Sequence, residues 1–181
     1  MKIEKTDLSG VLLITPEIFE DERGYFYESF NKKKFEEITK SKFDAIQDNQ
    51  SYSYQGILRG IHFQTQPLAQ AKLIQVLEGE IFDVAVDLRN DSNTYCKWVS
   101  INLSSSNHQQ LFIPKGFGHA FLTISKIAKV MYKVNQNYSK DHEKVIRYDD
   151  PILKINWPLD NIKLSTKDQN AEFISENVKY F

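Results

Sequence analysis

Apolar and polar side chains alternate over short stretches of this sequence, with the period of strands rather than of helices. Phe82, Val84, Val86 and Leu88 alternate with Ile81, Asp83, Ala85 and Asp87, the pattern of a strand whose faces see different surroundings. Lys72–Leu77 reads the same way, and the intervening Glu78-Gly79 carries turn chemistry, so the two segments predict a hairpin. Further strands are expected at Val11–Ile14, Tyr25–Phe30, Trp98–Leu103, Leu111–Pro114, Ala120–Ile124, Ala128–Val134 and Glu143–Tyr148. One helix stands out, with Asn31 as its cap and Phe35 and Ile38 three apart on one face. Phe43–Tyr54 is polar and mixed, and its Gln47-Asp48-Asn49 triplet is costly to bury without ligands. Trp157-Pro158 opens a less regular tail. Strands recurring about every ten residues, with a single convincing helix, indicate an all-β sandwich or barrel with few short helices.

Composition narrows the class. The 181 residues suit one domain, 1–181, with no internal repeat or linker. A formal charge of −1 favours neither nucleic acid nor a membrane surface. Twelve Phe, nine Tyr and two Trp fit an all-β protein with stacked rings in a pocket. Cys96 is the one cysteine, which excludes an intrachain disulfide and favours a reducing compartment. The first ten residues resemble no targeting signal, and no apolar run approaches membrane-spanning length. A cytoplasmic protein is expected.

The candidate chemistry begins at His62, which lies between Ile61 and Phe63 and so faces away from both on a strand. A lone histidine among apolar residues is more often a hydrogen-bonded core residue. Lys72 shares a face with Ile74 and Val76, and an inward ammonium is costly unless paired. Across the expected hairpin, Asp83 sits diagonally within its reach. Gly56, His62, Gln64, Lys72 and Gly79 resemble the first motif of a cupin jelly roll, and Pro114, Gly116 and His119 its second, with Thr123 where Asn is usual. Gln64 and Lys72 occupy two positions that would hold a metal in that pattern. An ammonium would repel a divalent ion, so no metal is expected. Arg23, Arg59, Lys72, His119 and Lys167 are cations that one pocket could gather around a diphosphate.

A more specific resemblance runs through nearly the whole chain in order. It rests on Asp21–Phe30, Gln47–Ser51, Leu58–Gln64, Gln70–Ile74, Asp83–Arg89, Ile113–Phe121, Tyr132, Tyr138, Trp157-Pro158 and Leu164–Asp168. Together these resemble the dTDP-4-dehydrorhamnose 3,5-epimerase family. Two neighbouring positions depart from its pattern, Gly118 and Ala120 beside His119. The resemblance implies a homodimeric cupin jelly roll without metal or cofactor, acting on a nucleotide-diphosphate 4-keto sugar. It implies His62 as general base, Asp168 as its orienting carboxylate, Tyr132 as general acid and Lys72 as stabiliser of the enolate. Arg23, Glu28, Gln47, Asn49, Arg59, His119, Glu143 and Lys167 match its substrate-binding positions. Tyr138 matches the ring that stacks on the nucleobase, and Asp83 stands behind this set.

The reaction expected is conversion of dTDP-4-dehydro-6-deoxy-D-glucose to dTDP-4-dehydro-L-rhamnose. Competing readings are inversion at C3 or C5 alone, or action on a GDP-linked 4-keto hexose or heptose. From another class comes a non-catalytic nucleotide-sugar-binding cupin. That protein would need neither a His62–Asp168 pair nor Tyr132, so their joint presence argues for an enzyme.

Overall fold

The computed structural model describes residues 1–175 and 179–181. In chain order its elements are β1 (Lys2–Lys5), β2 (Leu12–Thr15), β3 (Ile18–Asp21), β4 (Gly24–Tyr27), α1 (Lys32–Thr39), β5 (Gln47–Tyr54) and β6 (Leu58–Gln64). There follow β7 (Lys72–Asp87), β8 (Trp98–Ser104), β9 (Gln110–Ile113), β10 (Phe117–Val134), β11 (Glu143–Val145) and α2 (Thr166–Gln169). The all-β expectation holds.

Two long strands organise everything else. β7 and β10 are antiparallel from Lys72 opposite Val134 to Asp87 opposite Phe117. Both change outer neighbours midway. The first half of β7 pairs with β9 and the second with β8. The first half of β10 pairs with β6 and the second with β5. One bent ribbon therefore belongs to two sheets, the first extended by β2 and β1 and the second by β11. Ile74, Val76 and Val130 from one half pack with Ile81, Ala85, Phe117 and Phe121 from the other, all buried. Apolar side chains from both layers meeting in one core make this a sandwich.

The hairpin expected at Glu78-Gly79 does not form, because the ribbon bends there instead of turning back. Gly79 has φ +80°, and a Cβ on it would lie 2.0 Å from the Ile127 carbonyl oxygen. The turn signal in the sequence is real, but β10 takes up the bend with its own register shift between Thr123 and Ala128. For the same reason Ala120–Ile124 and Ala128–Val134 are parts of one strand. Asp83 is not Lys72's cross-strand neighbour; the bend returns its charge toward Lys72 across the interior.

β5 was hidden in the sequence by polarity. Asp48, Gln50, Tyr52 and Tyr54 are exposed while Gln47, Asn49, Ser51 and Ser53 are not, so its less exposed face is amide and hydroxyl rather than apolar. The helix forms as expected: the Asn31 side chain accepts from Lys34 N at 3.1 Å. Phe35 is buried against Phe30, Phe43 and Phe112, but Ile38 stays 48% exposed.

Candidate active site

The site forms in a cavity lined from β5, β6, β7 and β10. His62 projects from β6, while its neighbours Ile61 and Phe63 are buried in a core cluster on the other face. The tail is tied to the start of β6: Leu58 N donates to Lys163 O at 3.0 Å and Lys163 N to Gly56 O at 2.8 Å. That tie delivers α2 beside His62. Asp168 Oδ1 then lies 2.6 Å from His62 Nε2, although 106 residues separate the two. Ser165 caps α2 by accepting from Asp168 N at 3.1 Å, which fixes the carboxylate's position.

Asp168 is almost fully buried. Burial by itself raises a carboxyl pKa. The His62 hydrogen bond and charge, with help from Ser165 and the Gly60 amide, outweigh it and hold Asp168 below the usual range. An ionised Asp168 accepts the Nε2 proton and leaves Nδ1 of the imidazole as the basic nitrogen. Gly60 is confined to glycine, since its φ is +130° and a Cβ would sit 2.4 Å from Ala120 Cβ.

Two adjoining lobes, each about 330 Å³, share Asn49, His62, Lys72 and Tyr132. One adds Gln47, Gln70, Tyr138 and Glu143, and the other Ser51, Arg59, His119 and Phe121. A groove beyond them carries Arg59, Ser165, Lys167 and Asp168. Lys72 is buried and donates to the His62 carbonyl at 3.3 Å. Burial pulls its ammonium down to about 8, against the charges of Asp83 and Glu143, which hold it up. His119 lies 2.6 Å from Asp83 Oδ1 through Nε2. Burial lowers the His119 pKa despite Asp83, and Lys72 and His62 lower it further, so it serves as a neutral donor to Asp83. Burial raises the Tyr132 pKa, opposed by Arg59, and the phenol keeps its proton at neutral pH.

At the mouth, Glu143 accepts from the Tyr138 hydroxyl at 2.7 Å and pairs with Lys167. Burial pushes the Glu143 pKa up, but Lys167 and Tyr138 bring it below its usual value. Gln47 Nε2 donates to Asn49 Oδ1 at 2.8 Å, and Arg59 Nε to Ser53 Oγ at 3.0 Å. Gln64 is spent on scaffolding: its amide bonds Leu68 O at 2.6 Å, Asn137 O at 3.1 Å and Ser139 N at 2.7 Å. With Lys72 beside it, that leaves two positions of the metal-binding pattern without a metal donor.

The structure thus gathers His62, Asp168, Tyr132, Lys72, Gln47, Asn49, Arg59, His119, Tyr138, Glu143 and Lys167, with Asp83 behind them. Arg23 and Glu28 are elsewhere within the chain. Arg23 pairs with Asp21 in the β3–β4 arm, and Glu28 with Lys34 of α1. Sequence reasoning missed Ser51 and Phe121 as lining residues. Ser51 was recoverable from its two-residue spacing after Gln47 and Asn49, had β5 been read as a strand.

Comparison with known proteins agrees with this geometry. A family model described as dTDP-4-dehydrorhamnose 3,5-epimerase matches residues 5–176. The chain belongs to the dTDP-4-dehydrorhamnose 3,5-epimerase family. It is 48% identical over 172 residues to that enzyme of Shigella flexneri, with 95% of each chain covered. Among solved structures it is similar to the Legionella pneumophila dTDP-6-deoxy-D-glucose-3,5-epimerase in complex with dTDP-4-keto-L-rhamnose. That match has a TM-score of 0.92 at 45% identity, covering 95% of this chain and 92% of the other. The Bacillus anthracis member of the epimerase family, with TDP and PPi bound, gives 0.93 at 45% identity, covering 96% and 99%. The fold is the cupin-type one of these epimerases.

Proposed function

We propose that this chain inverts C3 and C5 of dTDP-4-dehydro-6-deoxy-D-glucose to give dTDP-4-dehydro-L-rhamnose, without metal or cofactor. The observation that carries the reading is the pairing of half-buried His62 with buried Asp168, opening onto a cavity shared with Lys72 and Tyr132. The C4 ketone acidifies the hydrogens on C3 and C5, because the carbanion delocalises onto oxygen. His62 Nδ1 takes the proton, and Asp168 stabilises the resulting imidazolium. The Lys72 ammonium is already in place for the enolate oxygen, so no reorganisation is needed as charge develops. Tyr132 returns a proton from the opposite face. Arg59 and Lys167 suit the diphosphate, and Tyr138 the base.

Metal-stripped protein is expected to convert the dTDP-linked ketone at full rate and the GDP-linked one far more slowly. A requirement for one divalent ion, or preference for the guanine nucleotide, would contradict the assignment.

The ammonium form of Lys72 is the faster one. It is complete below its pKa of about 8 and is lost above it. Accordingly kcat/KM is expected to fall about tenfold across that point, to a plateau set by the amine form, in which His62 and Tyr132 still act. A rate level to about pH 9.5 would remove Lys72 from enolate stabilisation.

We further infer that residues 1–181 act as one catalytic unit, in the cytoplasm and as a homodimer. Among the described residues no helix is long and apolar enough to cross a membrane. The β3–β4 arm exposes Phe19, Tyr25 and Phe26 by 58, 58 and 69%, and carries Arg23 outside its own chain's cavity. A second copy covering this apolar arm could receive Arg23 and Glu28 in its own site. Sedimentation at twice the 21.1 kDa chain mass is expected, and a monomer active at full rate would exclude the arrangement.

A further inference from the structure

Two inversions on one sugar pose a proton-balance problem that one inversion does not. In each, a C–H bond breaks and its proton goes to His62 Nδ1, while the electron pair moves onto the ketone oxygen. The Tyr132 O–H bond then breaks, its proton forms the new C–H bond on the opposite face, and the ketone is restored. What remains is an imidazolium at His62 and a phenolate at Tyr132. Neither group can serve the second carbon until both are reset.

One further ionisable group lines both lobes of the cavity with them, Lys72. Lys72 and Tyr132 lie on the neighbouring strands β7 and β10, with Lys72 opposite Val134 and Tyr132 opposite Ile74. They are therefore diagonal neighbours on one face, within reach of a long side chain. Lys72 Nζ also donates to the backbone carbonyl of His62 at 3.3 Å. Among the described residues this is the ammonium's one hydrogen bond, and an ammonium carries three donors. All three side chains line both lobes of the cavity.

We propose that Lys72 is also an internal proton relay, returning the proton from His62 to Tyr132 so that one bound sugar is inverted twice before release. The ammonium gives a proton to the phenolate, and the neutral amine then takes one from the imidazolium. Nothing is gained or lost overall. Burial draws Lys72 down to about 8 and raises the Tyr132 phenol, so the transfer from ammonium to phenolate runs downhill. Burial lowers Lys72, and Asp83 on its own strand and Glu143 on β11 hold it up. The other titratable and charged groups lining the same cavity are His62 on β6, His119 and Tyr132 on β10, Arg59 and, at its mouth, Tyr138.

This role rests on the epimerase reading above, and its test separates the two. Wild-type protein is given dTDP-4-dehydro-6-deoxy-D-glucose at low conversion, and released sugars inverted once and twice are counted by NMR across pH. Above the Lys72 pKa the resting amine has no proton to give, so singly inverted sugar should escape. Its ratio to doubly inverted product is expected to rise roughly tenfold between about pH 7 and about pH 9.5. Lys72→Arg keeps a cation but holds its protons at any of these pH values. It should release chiefly singly inverted sugar throughout. A wild-type ratio flat with pH, while total turnover falls, would overturn the relay whatever the variant does. Absence of any turnover would instead overturn the epimerase reading.

Discussion

Replacing His62 by Asn is expected to lower turnover by about three orders of magnitude, the scale of a lost general base. Asp168→Asn should cost nearly as much, because the amide can donate to Nε2 and push the ring proton onto Nδ1, the nitrogen that must be free. Asp168→Asn is isosteric and His62 is 31% exposed, so the fold should survive both substitutions. The double variant should be little worse than either single one, since the 2.6 Å pair works as a unit. Initial rates of the three variants, with melting curves to show that each is folded, check this. Losses that multiply in the double variant would mean that Asp168 acts apart from His62, for instance by holding Lys167 and α2 in place.

Tyr132→Phe is expected to separate proton abstraction from inversion. The ring packs against the core cluster of Ile74, Val76 and Val130, and phenylalanine preserves that packing. His62 and Lys72 remain, so the enolate still forms. Without the acid opposite, the enolate recaptures a proton from His62 with its configuration retained. In D2O the variant should still take up solvent deuterium while L-configured product drops by about two orders of magnitude. If Tyr132 only packs or positions the sugar, exchange and inversion decline together, and their ratio matches the wild type.

Strand positions were legible wherever one face is apolar, as along Ile81–Leu88, and so was the capped helix α1. The reading failed where local chemistry has two tertiary uses. Gly79 carries the dihedral of a turn, but whether the chain reverses or bends depends on β10, more than thirty residues away in sequence. β5 escaped because the face it turns toward the cavity is polar, which inverts the usual signal. The dyad could not be derived from spacing, since Asp168 reaches His62 only through the pairing of Lys163 with Gly56 and Leu58. It was reached through family resemblance. Arg23 and Glu28 match the family pattern yet pair with Asp21 and Lys34 away from their own chain's cavity, a placement for which strand patterning carries no signal.

The central claim is that one site activates both carbons next to the ketone. Wild-type protein incubated with dTDP-4-dehydro-6-deoxy-D-glucose in D2O should yield L-configured product carrying deuterium at C3 and at C5, visible as a two-unit mass increase and as loss of both proton signals. Deuterium at one carbon alone, or L-product formed without solvent exchange, would contradict it.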